Sequence, residues 1–161
     1  MSFLPLLLAA SALASPGPLE CSAAQTAHES LVRSSFNATR DFTLVINGEL
    51  KARQTTRMTY DDGSLKREVL SEELLDKNLV LDEEEVLSVL TLPFDCARLT
   101  KNPDGRYELT SANHAEKAVF ELREAELALR PLRWTNTETV RFLWKKLEIE
   151  AVAMYHDFAW Q

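Results

Sequence analysis

The chain has 161 residues, 18 Lys and Arg against 25 Asp and Glu, and a formal net charge of −7. That length builds one domain with its own core and needs no metal or disulfide framework. The acidic balance argues against nucleic acid, and against an anionic membrane surface as the main partner, because both reward clustered Lys and Arg.

The first stretch, "MSFLPLLLAASALASPGP", has a short apolar run from Phe3 to Ala10 and then Ala12-Leu13-Ala14, the small-x-small pattern that signal peptidase reads. It predicts a signal peptide over 1–14, cleaved after Ala14, and a single mature domain over 15–161 in the periplasm. No Lys or Arg precedes the apolar run. Pro16 and Pro18 suit an extended start to the mature chain. Glu20 stands before Cys21 where a lipidation signal needs a small residue, so a soluble, untethered product is expected. Cys21 and Cys96 permit one intramolecular pairing. Two readings stand: a bridge of an oxidising compartment, or two buried thiols.

Ala24, Ala27 and Leu31 recur at helical spacing without Gly or Pro between them, predicting a short helix. The period then changes to two. Phe42, Leu44 and Ile46 alternate, Asn47-Gly48 marks a hairpin, and Leu50, Ala52, Met58 and Tyr60 resume the alternation. Asp61-Asp62-Gly63 turns the chain into a third strand, "SLKREVLS". Next, Asp82 three residues before Glu85 resembles a capping box, and Val86, Leu87 and Leu90 form a stripe ended by Pro93: an inserted helix. Short strands follow at "DCARLTK", "RYELTS", "KAVFELRE" and "ELALRP".

"PLRWTNTETVRFLW" (131–144) places Trp134, Val140, Phe142 and Trp144 on one parity, interrupted by Asn136 and Glu138. In the last segment Leu147, Ile149, Ala151, Ala153 and Tyr155 alternate against Glu148, Glu150, Val152 and Met154. The sum predicts an α+β, mostly β fold: one strongly curved antiparallel sheet of eight or more strands, with two short helices on its concave face.

No reaction centre emerges, and a non-enzyme is expected. His28, His114 and His156 make no metal-ligand spacing. His156 and Asp157 are adjacent, and neighbours on a regular strand point to opposite faces, which spoils a dyad. Asp41, Asp61 and Asp62 are read as turn and strand residues, not as a cation site. The four glycines form no phosphate cradle. Neither a catalytic residue, a metal site nor a cofactor is expected.

An exported chain of this length, with an N-terminal helix, the 42–60 hairpin, a helix-bearing insertion and a C-terminal meander, resembles the LolA/LolB-like superfamily of bacterial envelope proteins. The best local match is "RYELTSANHAEKAVFELREAELALRPLRW" (106–134), similar to a strand–turn–strand region followed by a Pro-aromatic strand. The resemblance implies a half-barrel whose helices act as a lid over bound acyl chains, in a periplasmic lipid or lipoprotein carrier. Acyl chains are then the ligand, with envelope membrane proteins as further partners, and a monomer is expected. The cavity would be lined by Phe42, Leu44, Ile46, Met58, Tyr60, Phe120, Leu122, Trp134, Phe142 and Trp144. The family's better-known carriers are longer and hold the lid with a sheet arginine; Arg53 and Arg57 lie on the parity opposite Met58 and Tyr60 and do not match that role. The alternative is an interaction or sensor domain of the same fold, in which the same side chains are simply core.

Overall fold

The computed structural model describes residues 14–79, 81, 88–123 and 128–161, apart from the side chains of Pro18, Leu19, Ser88, Arg123, Ala128 and Phe142. The predicted signal segment before Ala14 and the predicted helix start at Asp82–Glu85 therefore lie outside the described residues.

Helix α1 (Pro18–Arg33) begins on Pro18, whose missing N–H would have no intrahelical partner at that position. Pro18 thus opens the helix instead of extending the arm before it. The Glu20 carboxylate accepts from the Gly17 N–H at 3.3 Å and satisfies one free donor of the first turn. Cys21, Ala24, Ala27, His28 and Leu31 form its buried face. The small residues on that face let the helix axis lie close to the sheet.

Eight strands form one antiparallel sheet among the described residues. They are β1 (Ser35–Ile46), β2 (Glu49–Asp61), β3 (Ser64–Leu74), β4 (Leu99–Lys101), β5 (Tyr107–Thr110), β6 (Glu116–Arg123), β7 (Ala128–Phe142) and β8 (Lys145–Trp160). Their spatial order is β3-β2-β1-β8-β7-β6-β5-β4, so two meanders meet where the first strand lies beside the last. A second helix, α2, is described over Ser88–Thr91. The expected mostly β, open-sheet architecture with helices on one face is the one observed.

The covered face follows from parity. Phe36, Ala38, Arg40 and Phe42 of β1 point inward with Ala52, Gln54, Thr56, Met58 and Tyr60 of β2, and with Ala151, Ala153 and Tyr155 of β8. Trp134, Ala118, Phe120, Tyr107, Leu109 and Leu99 continue that layer across β7 to β4, and α1, Val89, Leu90 and Leu92 close over it. Asn47 and Gly48, at φ 52° and 79°, make the predicted hairpin turn; left-handed backbone at both positions is what Asn-Gly tolerates.

Two details differ from the sequence reading, and one alternative it left open is resolved. Cys96–Arg98 is a 3-10 turn, with the Asp95 carboxylate accepting from Ala97 N–H at 2.9 Å, and only Leu99–Lys101 is strand. The stretches "ELALRP" and "PLRWTNTETVRFLW" are not two strands: residues 128–142 form one. Pro131 is tolerated inside it because the pairing slips there, with Phe120 opposite Pro131 and Val119 opposite Arg133. Finally, Cys21 and Cys96 are joined by a disulfide, with Cα atoms 5.8 Å apart. Of the two open readings, the bridge is the one the chain adopts.

Candidate functional site

Between the sheet and α2 lies an apolar void enclosed by Phe36, Met58, Tyr60, Leu65, Val89, Leu90, Pro131 and Tyr155. Its volume is about 10 Å³, room for about one water molecule. A pocket for a drug-sized ligand holds about 300–1,000 Å³. Beside these residues the helices thus leave little space unfilled. Tyr60 Oη donates to the Val32 carbonyl at 2.7 Å and ties β2 to the last turn of α1. Tyr155 lies beneath, and burial pushes its phenol well above the usual range while the Arg40 charge pulls the other way.

Arg40 is a feature that sequence reasoning missed. It is 2% exposed, points inward from the middle of β1, and stands opposite Tyr155 of β8 and Thr56 of β2. Its Nη2 donates to Gln54 Oε1 at 3.5 Å, and its guanidinium carbon lies 4.9 Å from the centre of the Phe42 ring. Thr56 Oγ1 donates to the same Gln54 oxygen at 3.1 Å, and Gln54 Nε2 donates to Glu72 at 2.7 Å. A polar chain thus runs from a buried cation to a carboxylate on the exposed edge strand. Arg53 and Arg57 are exposed, and Arg57 pairs with Glu68 at 2.7 Å. The signal for Arg40 was in the sequence, since it shares the parity of Phe42 and Leu44.

The ten residues chosen from sequence separate into groups. Phe42, Met58, Tyr60, Phe120 and Trp134 are buried in one core, with Leu44 and Leu122 half-buried against it. Met58 and Tyr60 also line the void. Ile46 is half-exposed near the first hairpin. The Phe142 side chain lies outside the described residues. Trp144 does not face the interior: it stands in the β7–β8 turn, 85% exposed, because β7 runs past the covered part of the sheet. Val140, on the same parity, is likewise exposed.

The adjacent pair His156–Asp157 corrects the rule applied to it. Asp157 has φ 51°, and a bulge sets Asn37 opposite Ala159 but Thr39 opposite His156. The irregularity brings His156 Nδ1 to 2.8 Å from Asp157 Oδ2, while Nε2 lies 2.8 Å from Asp41 Oδ2. Thr55 Oγ1 donates to the other Asp41 oxygen at 2.7 Å. Both ring nitrogens face carboxylates, so neither is left to take a proton from a nucleophile, and the set does not have a triad's geometry. The bulge also switches parity, so that Phe158 and Trp160 turn inward onto Phe36: the Phe158 ring stacks on it with centroids 4.7 Å apart, and the Trp160 ring meets it edge-on at 6.1 Å.

Two histidines couple the fold to pH in opposite senses. His28 is buried between Phe94 and Phe120, with centroids at 5.4 and 5.8 Å. Burial lowers its pKa from 6.5, against a smaller opposing effect of Glu29. The folded state favours its neutral form, so the stability it contributes is present above about pH 6.5 and lost as pH falls through the folded value. At His156 burial alone would lower the pKa, but hydrogen bonds to Asp157 and Asp41 and their charges outweigh it, and the net shift is upward. Its contribution is present below about pH 6.5 and lost as pH rises through the folded value. Thermal melts across this range are expected to show His156→Gln flattening the alkaline-side decline and His28→Leu flattening the acid-side one. An unchanged pH profile in either variant would contradict its assignment.

No family model matches the chain, and no curated protein matches it. Among solved structures it is similar to a DUF1329 family protein from Desulfovibrio piger, at 9% identity and a TM-score of 0.31, covering 91% of this chain and 94% of that one. It is also similar to a LolA superfamily protein from Nitrosomonas europaea, at 10% identity and a TM-score of 0.27, covering 87% and 92%.

Proposed function

We propose that the protein is an exported, non-enzymatic carrier that takes acyl chains of a lipid or lipoprotein between its sheet and its helices, and closes the chamber when empty. The observation that carries this reading is an apolar wall that does not stop at the void. Leu65 lines the void, and on the same face of β3 Val69 stands opposite Thr56 and Leu74 opposite Ala52. Val69 and Leu74 are 49% and 37% exposed, although their partners on β2 are fully buried. Apolar surface therefore continues from the closed interior onto an uncovered margin, interrupted by Arg67 and Glu72 opposite Met58 and Gln54. An acyl chain laid along this track gains about 0.8 kcal/mol per buried CH₂. Helix α2, which supplies Val89 and Leu90 to the void, is the piece that has to move. The disulfide and the Ala12-Leu13-Ala14 site support an oxidising, extracytoplasmic location.

Native mass spectrometry of the protein purified from envelope extract, followed by organic extraction, tests the carrier. Co-purifying acyl species are expected. A clean apo mass together with no response to a hydrophobic fluorescent probe would sink it.

A second reading, an interaction or sensor module with a filled core, draws on the small void and on the free edge of the sheet. Leu70 on β3 and Leu75 just past its end are 44% and 54% exposed beside Val69 and Leu74, and among the described residues β3 has one unpaired edge. Such an edge accepts a strand from a partner. The clean apo mass would leave this reading standing.

A further inference from the structure

The β7–β8 hairpin outruns its neighbours in the sheet. On one side β6 pairs with β7 only as far as Asn136, and the Thr137 N–H makes a final bond to Ala115 O at 2.9 Å. On the other side the β1 ladder ends at Ile149, where Asn47 closes on Glu148. Beyond that point Val140 pairs with Leu147, Arg141 with Lys146 and Phe142 with Lys145. These pairs make roughly 10 Å of free two-stranded ribbon.

Its tip is built against the usual preferences of a soluble surface. Leu143 and Trp144 are 74% and 85% exposed. Leu143 adopts φ 56°, a region that favours glycine and strains a branched side chain. Neither burial nor backbone preference accounts for leucine there. Around the apolar pair stand Arg141, Lys145 and Lys146, which with it line a shallow surface hollow. In this group Lys146 alone has a carboxylate partner among the described residues, Glu148 at 2.6 Å. The net charge of −7 is a sum over the whole chain, and this tip carries the opposite sign. A cationic end on an acidic body orients the molecule tip-first toward an anionic surface.

We propose that the β7–β8 tip docks the protein on an anionic bilayer leaflet, with Leu143 and Trp144 seated at headgroup depth and Arg141, Lys145 and Lys146 on lipid phosphates. Indole rings favour that interfacial layer, and long basic side chains reach phosphates from it. The inference goes beyond the carrier reading and stands without it, because the interior takes no part.

The full chain is tested by co-sedimentation with phosphatidylglycerol–phosphatidylcholine vesicles and with pure phosphatidylcholine vesicles. Binding to the first set is expected, falling with added salt, and with Trp144 fluorescence quenched by brominated lipid. Trp144→Ser, and separately the pair Lys145→Glu and Lys146→Glu, are each expected to weaken partitioning roughly tenfold or more while melting at the wild-type temperature. Absence of binding, equal binding to neutral vesicles, or binding unchanged by Trp144→Ser would overturn the proposal. So would self-association that Trp144→Ser abolishes without vesicles, which would assign the tip to a second copy of the chain.

Discussion

Replacing both Cys21 and Cys96 by Ser is expected to lower the unfolding free energy by about 4 kcal/mol on the chain-entropy model. The bridge spans 75 residues, and a loop of that length is costly to close in the unfolded chain. For a domain of this size the loss corresponds to a fall of about 10 °C in Tm. The bond also has a local role. Cys21 lies in the first turns of α1, and Cys96 follows α2 by five residues, so one covalent link restrains both elements that cover the interior. The double variant is therefore expected to take up more of a hydrophobic fluorescent probe than the oxidised protein does. A loss below about 1 kcal/mol would mean that the unfolded chain gains little from the cut. Unchanged probe uptake would mean that α1 and α2 hold the interior shut unaided.

Phe120→Ala is expected to cost about 3–5 kcal/mol, measured by urea denaturation. Phe120 has no exposed surface, sits on β6 under α1, and meets the His28 ring edge-on at 5.8 Å. Truncation leaves a hole between sheet and helix that neither can close without shifting the other. The hole also relieves the burial that holds the His28 pKa down, so the acid-side decline in stability should become shallower in this variant. A cost below about 1 kcal/mol would show that the layer collapses freely and is not tightly packed.

Much of the architecture was legible because apolar parity is written along each strand. Phe42 and Leu44, Met58 and Tyr60, and Ala151 to Tyr155 present the predicted inward face. Parity fails where the backbone inserts a residue, and here that happens at chemically informative places. In "AVAMYHDFAW" the inward series runs Ala151, Ala153, Tyr155 and then resumes at Phe158 and Trp160, one step out of phase. The phase slip marks the bulge at Asp157, and with it the Asp41–His156–Asp157 cluster. Trp144 misled for a different reason: alternation gives a face but does not say how far that face remains covered. Pairing lengths decide this, and β7 continues beyond β6. Arg40 was passed over because a cation on an inward position contradicts the hydrophobic pattern, although its parity was plain. The disulfide was left open because Cα separation is a tertiary quantity.

The meeting of the two meanders bears on how the chain reaches this fold. β1 is flanked by β2, its hairpin partner, and by β8, the last strand in chain order. The ladder that joins Phe36 to Trp160 and Ile46 to Ile149 links segments more than a hundred residues apart. Until β8 arrives, β1 presents a bare edge and the inward faces of the two meanders lack each other. Contacts so distant in sequence slow the search for the native pairing. During synthesis, central pairing must therefore wait for the final strand, and its seam is where an incomplete chain would be open to other partners.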